Sequence, residues 1–575
     1  MPRDSTITTG IDVSIGQHAD RGRKTRNDDF HGALVPDGQA RLLKGVALAL
    51  ADGISTSATS RVAAETAVKS LLTDYYATPD SWTVRTAASR VISATNAWLH
   101  GQNGALSDIN TGQVCTLSAL ILKGRVGHVL HVGDSRVWRF AGGEPEKLTR
   151  DHRRRLSTGE DYLSRALGLG AEIEIDYRAI PLAQGDVFVL TTDGVHDFLT
   201  PDDMARILCG ADDLDMAAMA LVTQAMAQGS DDNLSVLITR VDALPESDAD
   251  ARWQDAGLPV SALPQAGDEV DGFRIVRPLQ ASARSHVFLA VDPQGRRAAL
   301  KFPARETAES GASLRRFALE DWIAARVSSP HVVRAAANPQ PRSALYVATE
   351  FVEGKSLRQW MHDTPRADPD AVRPIIEQIA SGLRALHRRQ MLHQDLRPEN
   401  IMIDPDGTVK IIDLGAVSVA GIHEAAPGLL GALPGTFQYT APEYLSGDVV
   451  SWRSDQFALG VIAYEMLTGR LPYGAAVARI SNRNEQNRLR YAPACDDDTG
   501  LPRWIDTALR RATHPDPLRR YDALSEFVAD LSRPGAAWAK ERHLPLAERH
   551  PVRFWQGVSA ILAVICFLLA ARLGG

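Results

Sequence analysis

His393-Gln394-Asp395-Leu396-Arg397-Pro398-Glu399-Asn400 is the stretch on which the fold of this chain turns. A carboxylate, a guanidinium and a carboxamide follow at positions 395, 397 and 400, and a further acid stands in Asp413-Leu414-Gly415, behind the strand-like run Val409–Ile412. Oxygen donors in loops beside short strands suit hard divalent cations. Upstream, strand-type runs occupy Phe273–Leu279, Val287–Val291, Ala298–Lys301 and Leu345–Phe351, whereas from Val372 to Leu531 the apolar spacing is mostly helical. A small β lobe followed by a helical lobe is the expected order.

Phosphoryl transfer asks for positioned metal ions, a carboxylate facing the acceptor hydroxyl and cations over the phosphates, with little covalent chemistry from the protein. Those parts occur here in sequence. With Ala441-Pro442-Glu443, Asp455 and Gly460 added, residues 271–533 resemble the bacterial Hanks-type serine/threonine protein kinases. The resemblance implies ATP with Mg2+ as cofactor. By position, Asp395 orients the substrate hydroxyl, Arg397 lies near the γ-phosphate, Lys301 holds the α- and β-phosphates and pairs with Glu320, and Asn400 and Asp413 bind Mg2+. Glu350 and Val352 border the adenine beyond Thr349, while Gln280, Ser282, Ser285, Val287 and Ala299 complete the expected nucleotide site. Glu443 is the expected structural ion-pair partner of Arg520. Two departures stand out. The glycines of the phosphate loop are replaced by Gln280, Ser282 and Ser285, which restricts backbone approach to phosphate. Gln394 stands where an arginine normally precedes the catalytic aspartate, so no cation is available there to pair with a phosphorylated activation segment.

The first half carries acids in loops beside apolar runs: Asp28-Asp29, Asp52-Gly53, Asp134, Asp193-Gly194 and Asp232-Asn233. Runs such as Ser118–Leu122, His128–Val132, Val187–Leu190 and Leu234–Ile238 alternate with helical stretches at Val62–Leu72 and Val84–Leu99, an α/β pattern. Paired Mg2+ or Mn2+ ions held by such carboxylates clamp a phosphate and generate a hydroxide nucleophile. Arg26-Asn27-Asp28-Asp29, Ala51-Asp52-Gly53, Gly133-Asp134-Ser135-Arg136, Leu148-Thr149-Arg150-Asp151-His152, Thr192-Asp193-Gly194 and Asp231-Asp232-Asn233 together resemble the metal-dependent protein phosphatases of the type 2C class over residues 8–242. The resemblance implies two or three Mg2+ or Mn2+ ions. Asp52 bridges two, Asp193 and Asp232 hold one, Asp28 and the Gly53 carbonyl face the other, and Asp134 serves a weaker third. Lys24, with Arg23 adjacent, falls near the family's phosphate-binding arginine, and Asp28 replaces the family's usual glutamate.

The rest of the chain sets bounds. Its 575 residues exceed a single core, and a Pro-, Asp- and Ala-rich stretch at 243–270 reads as a linker. Lys+Arg 63 against Asp+Glu 70 gives a net charge of -7, which excludes nucleic acid as the main partner. Four scattered cysteines show no disulfide framework and favour a reducing compartment. Phe554 to Ala571 is almost wholly apolar, roughly 27 Å as a helix, behind a basic segment at 534–553. The expected fold is therefore multidomain: an α/β sandwich phosphatase domain, a bilobal α+β protein-kinase domain and a single C-terminal transmembrane helix at 554–571. The expected protein is a bifunctional serine/threonine kinase and phosphatase, tail-anchored in the inner membrane with its catalytic domains in the cytoplasm. Its expected substrates are phosphorylated proteins, its own kinase domain among them. The competing expectation is an active phosphatase regulated by a membrane-anchored pseudokinase, favoured by the missing loop glycines.

Overall fold

The computed structural model describes residues 10–104, 108, 111–155, 161–209, 211, 213–245, 258–425, 438–495, 500–534 and 551–573. Part of the expected linker (246–257) and most of the basic segment (535–550) lie outside them.

In the first half, two antiparallel sheets face each other. One runs Asp12–Asp20, Leu234–Ala243, Val187–Thr191, Arg136–Ala141, Glu144–Lys147; the other runs Asp176–Pro181, Val126–Val132, Leu117–Lys123, Val46–Ala51, Phe30–Leu34. The strand period of two sorts the side chains into layers. Val46, Leu48 and Leu50 point into the space between the sheets with Phe188, Leu190 and Leu237, while Ala47, Ala49 and Ala51 face the helices Ser60–Ala77 and Val84–Asn103. The small alanines let those helices lie close. On the opposite side, Val189, Val236 and Ile238 pack against the helix Leu214–Ala227. The result is a helix/sheet/sheet/helix sandwich whose loops gather the acids at one edge.

The second half begins with a five-stranded antiparallel sheet in the order Glu269–Val270, Phe273–Ala281, Ser285–Val291, Arg297–Pro303, Val347–Glu350. The helix Gly311–Arg326 lies beside it, started by Ser310, whose hydroxyl accepts from the Ser313 N–H. A helical lobe follows, centred on Pro369–His387 and the almost wholly buried Trp452–Thr468. Between the lobes, Ile401–Ile403 pairs with Val409–Ile411, and Met391–Leu392 pairs with Ser418–Val419. These short ladders hold the 393–400 stretch and the Asp413 turn side by side. The two-domain part of the expected fold fits this architecture.

The transmembrane part does not, and with it fall the expected inner-membrane location and the membrane as a partner. Pro551–Leu573 does form a helix, but among the described residues no helix is long and apolar enough to cross a membrane. Gln556, Gly557 and Ser559 interrupt the apolar surface in the first turns of that helix.

Candidate active sites

In the sandwich, strand ends bring Asp28, Asp29, Asp52, Asp134, Asp193 and Asp232 to one edge. Asn233 fixes the first of these loops: its side-chain carbonyl accepts from the Asp28 N–H at 2.8 Å, and its amide donates to the Arg21 and Arg26 carbonyls at 3.0 and 2.9 Å. Asp52 is held by exchange with Thr116, whose hydroxyl accepts from the Asp52 N–H at 3.0 Å and whose N–H donates to the Asp52 carbonyl at 2.8 Å. Gly194 lets the turn carrying Asp193 press on the Asp232–Asn233 backbone, since a Cβ there would overlap the Asn233 carbonyl. Gly53 is similarly enclosed by the Asp28 carbonyl and the Ser60 backbone, each 2.8 Å from where its Cβ would stand.

Crowded, buried carboxylates resist ionisation. Burial, reinforced by Asp29, Asp193, Asp134 and Asp232, keeps the Asp52 carboxyl well above the usual range. Burial raises Asp29 to about 6, and burial with Asp134 and Asp232 raises Asp193 to about 7. Burial also lifts Asp134, against the pull of Arg153. The donors are hard oxygens, and Asp29 Oδ1 is buried without a hydrogen-bond partner, which fits a site for a cation. Basic side chains meet part of that demand. Arg153 donates from Nε to Asp134 Oδ2 at 2.6 Å and from a terminal nitrogen to Asp193 Oδ2 at 3.0 Å. Arg26 Nε lies 2.8 Å from Asp28 Oδ1, and Lys24 pairs with Asp232 while donating to the Ser55 hydroxyl at 2.5 Å. With the oxygens so engaged, no group of three or more Asp, Glu, His or Cys side chains among the described residues is arranged to hold a metal ion as it stands. Arg23 is exposed. Sequence reasoning missed Arg153, whose only signal was the run Arg153-Arg154-Arg155 behind Asp151-His152, and it placed the relevant cation at Lys24 without noting that Arg26 reaches Asp28.

In the bilobal half, Lys301 from the strand Arg297–Pro303 meets Glu320 from the neighbouring helix, Nζ to Oε2 at 2.8 Å, and reaches Asp413 Oδ1 at 3.0 Å. Burial works against the Lys301 charge, yet Asp413 and Glu320 outweigh it and hold the amine above its usual range. Burial likewise opposes ionised Asp413, but Lys301 and the Gly415 N–H at 3.0 Å bring it down to about 2. Asn400 donates to the Asp395 carbonyl at 2.9 Å and to its Oδ2 at 3.3 Å. Asp455 accepts from the His393 and Gln394 N–H groups at 2.9 and 3.0 Å, and Gln394 takes a positive φ of 65° there. Arg397 turns to Glu399 at 2.8 Å. Glu443 and Arg520 form a fully buried bidentate pair, both contacts 2.7 Å.

Around the space facing Lys301, Val287 is paired with Lys301 itself and Ala299 with Thr349. Glu350 accepts from Lys410 Nζ at 2.7 Å, and Val352 packs on the helical-lobe core. Gln280 pairs with Val287 across the hairpin. Ser282 closes the turn: its hydroxyl donates to the Ser285 carbonyl at 3.1 Å and accepts from the Ser285 N–H at 3.1 Å.

A lysine–glutamate pair joined to an aspartate beneath a hairpin, over an Asp–Asn catalytic loop, defines one class, the protein kinases; an edge cluster of strand-end aspartates on a double-sheet sandwich defines another, the metal-dependent phosphatases. Residues 279–526 match the family described as Protein kinase domain, and residues 16–224 match Protein phosphatase 2C. The chain thus joins a type 2C phosphatase domain to a Hanks-type serine/threonine protein kinase domain. It is similar to the serine/threonine-protein kinase PrkC of Bacillus subtilis, 27% identical over 46% of this chain and 41% of that protein, and to the serine/threonine-protein kinase PknA of Corynebacterium glutamicum, 36% identical over 43% and 53%. The chain spans about half the length of these curated relatives or less. The solved structure of the S. agalactiae serine/threonine phosphatase is 26% identical over 40% of this chain and 99% of that one, with a TM-score of 0.36.

Proposed function

We propose that this chain is a bifunctional enzyme that transfers the γ-phosphoryl group of ATP to protein serine and threonine and hydrolyses phosphoserine and phosphothreonine. The observation that carries the reading is the joint survival of Lys301–Glu320–Asp413 and Asp395–Asn400 on one side and of the six-aspartate edge on the other. In the kinase domain, taken as 271–533, Asp395 orients the acceptor hydroxyl, Lys301 holds the α- and β-phosphates, and Asn400 and Asp413 bind Mg2+ with ATP. Arg397 reaches the γ-phosphate by leaving Glu399. In the phosphatase domain, taken as 8–242, Asp28, Asp52, the Gly53 carbonyl, Asp193 and Asp232 would hold two Mg2+ or Mn2+ ions, with Asp134 for a third. Such ions, when bound, activate water and clamp phosphate oxygens. Lys24 and Arg26 stand at the rim where a phosphate enters, and Arg153 must yield Asp193 as a metal arrives.

The natural substrates are phosphorylated proteins, the kinase half of the same chain included. Incubation of the full chain with γ-labelled ATP and Mn2+ tests both halves at once. Asp193→Asn should accumulate label, Asp395→Asn should acquire none, and wild type should lose label once ATP is removed. Absence of label from both wild type and Asp193→Asn refutes transfer. The second reading, a phosphatase with a non-transferring kinase fold, is favoured by the engagement of the Ser282 hydroxyl within its own hairpin; it requires no label alongside intact phosphothreonine-peptide hydrolysis.

A further inference from the structure

Among the described residues, the two domains meet beside the kinase's catalytic apparatus, where Asp80 and Arg326 also pair at 3.5 Å. Lys123 ends the strand Leu117–Lys123, and its side chain is 1% exposed. Its amine donates to the Gly421 carbonyl at 2.7 Å and to Glu424 Oε2 at 3.1 Å, both on the kinase side. An ammonium withdrawn from water costs several kcal/mol unless it is partnered. Its hydrogen bonds cross between the domains, so the residue suits the docked chain and would be misplaced on a separate sandwich.

Other contacts surround this pair. The Val84 N–H donates to Glu424 Oε2 at 2.8 Å, and the Gly421 N–H donates to the Ser81 carbonyl at 2.9 Å. Trp82 Nε1 donates to the Arg388 carbonyl at 2.9 Å; Gln390 accepts from the Thr83 N–H at 2.8 Å and donates to the Thr86 hydroxyl at 2.7 Å. Gly421 admits no side chain, since a Cβ would lie 2.5 Å from the Trp82 carbonyl and 2.7 Å from that of Asp80. Leu43, from the phosphatase helix Gly38–Lys44, lies in the same buried cluster as Ile422.

The gripped residues flank the active centre. Gly421 and Glu424 belong to the helix Ala420–Ala425, which continues the strand Ser418–Val419 behind Asp413-Leu414-Gly415. That strand pairs with Met391–Leu392, directly after Gln390 and directly before His393-Gln394-Asp395. With Gln394 in place of an arginine, this catalytic loop lacks the cation that would clamp a phosphorylated activation segment.

We propose that the phosphatase domain is the activating partner of the kinase domain: by clasping Gln390 and the 420–425 helix it holds Asp395 and Asp413 in working register, replacing a phosphate-to-arginine clamp. This rests on the kinase reading above, and the assay separates the two. Full-length Lys123→Met and Glu424→Gln are compared with wild type by amide hydrogen exchange, by initial rates on a serine/threonine peptide with ATP, and by p-nitrophenyl phosphate hydrolysis. Exchange at the Val84 and Gly421 amides should quicken at least tenfold, the peptide rate should fall at least tenfold, mainly in kcat, and phosphatase rates should stay within twofold, showing that the sandwich is folded. The reversal Lys123→Glu/Glu424→Lys should recover a substantial part of the kinase rate. Unchanged exchange overturns the clasp. Quickened exchange with an unchanged or raised kinase rate overturns activation by docking. A wild type that transfers no phosphate while its exchange pattern responds overturns the kinase reading, and the activating role with it, but leaves the docked interface standing.

Discussion

Arg153 and Arg520 are both guanidiniums engaged by carboxylates, yet their surroundings give them different weights. Arg520 and Glu443 are sealed from solvent, so removing the arginine leaves a buried carboxylate that keeps the Ser454 hydroxyl at 2.7 Å but has lost its cation. Breaking such a pair costs about 3–5 kcal/mol. Arg520→Ala should therefore lower the kinase transition in urea by an amount in that range, and retention of the wild-type midpoint would contradict the pair's structural role. Arg153 is partly exposed, at 28% of its side chain, and serves carboxylates that a divalent ion also suits. Arg153→Ala should destabilise the metal-free phosphatase domain by about 1–2 kcal/mol, after discounting for solvent, and Mn2+ should restore it beyond the wild-type gain because nothing then competes for Asp134 and Asp193. Titration calorimetry checks this through tighter Mn2+ binding in the variant. The Glu443–Arg520 partnership was legible in the sequence because both residues sit in recognisable motifs. Arg153 was not, because a long flexible side chain reaches across several strand ends and one of three consecutive arginines carries no mark of its target.

At the scale of elements, the phosphatase edge depends on how closely a four-residue helical turn, Asp193–His196, settles on the strand that begins at Leu234. Gly194→Ala forces a Cβ against the Asn233 carbonyl and must move one element from the other. The expected outcome is loss of at least a hundredfold in phosphopeptide hydrolysis and weakened Mn2+ binding, with peptide phosphorylation unchanged. Equal loss in both assays would point to general unfolding instead. The strands and helices themselves were readable: strand-type runs at 118–122 and 187–190 lie within Leu117–Lys123 and Val187–Thr191, and the helical run from Val84 extends to Asn103. Contacts between elements were less so. Ser282 was read as a small stand-in for glycine at the phosphates, whereas its hydroxyl closes the hairpin, a role that depends on the turn's geometry. The apolar tail was read as a span from its hydropathy, its length as a helix and the basic segment before it, and interruptions within it counted for too little. Lys123 and Glu424 lie 301 positions apart, and nothing local to either announces the other.

For the molecule as a whole, the acidic edge ties pH, metal and stability together. Asp29 and Asp193 are raised to about 6 and about 7 in the folded chain, mainly by burial, above the ordinary 3.8. In the metal-free protein the folded state therefore keeps protons that the unfolded state releases, and stability falls as pH rises from about 4 through 7. Above pH 7 the whole cost of assembling ionised carboxylates is present. A divalent ion binds the ionised form and removes that cost, whereas at low pH it must displace protons. At 100 times its dissociation constant such a ligand contributes about 2.7 kcal/mol. Scanning calorimetry in EDTA should thus show the phosphatase transition moving down between pH 5 and pH 8, and millimolar Mn2+ should raise it by several degrees at pH 8 and far less at pH 5. Asp193→Asn should flatten both dependences. Because Lys123, Gln390 and Gly421 join the sandwich to the catalytic centre of the kinase, the Mn2+ gain at pH 8 should extend to the kinase transition in wild type and vanish from it in Lys123→Met, where the phosphatase transition alone should respond. A kinase transition indifferent to Mn2+ in wild type would mean that the two halves unfold without regard to each other.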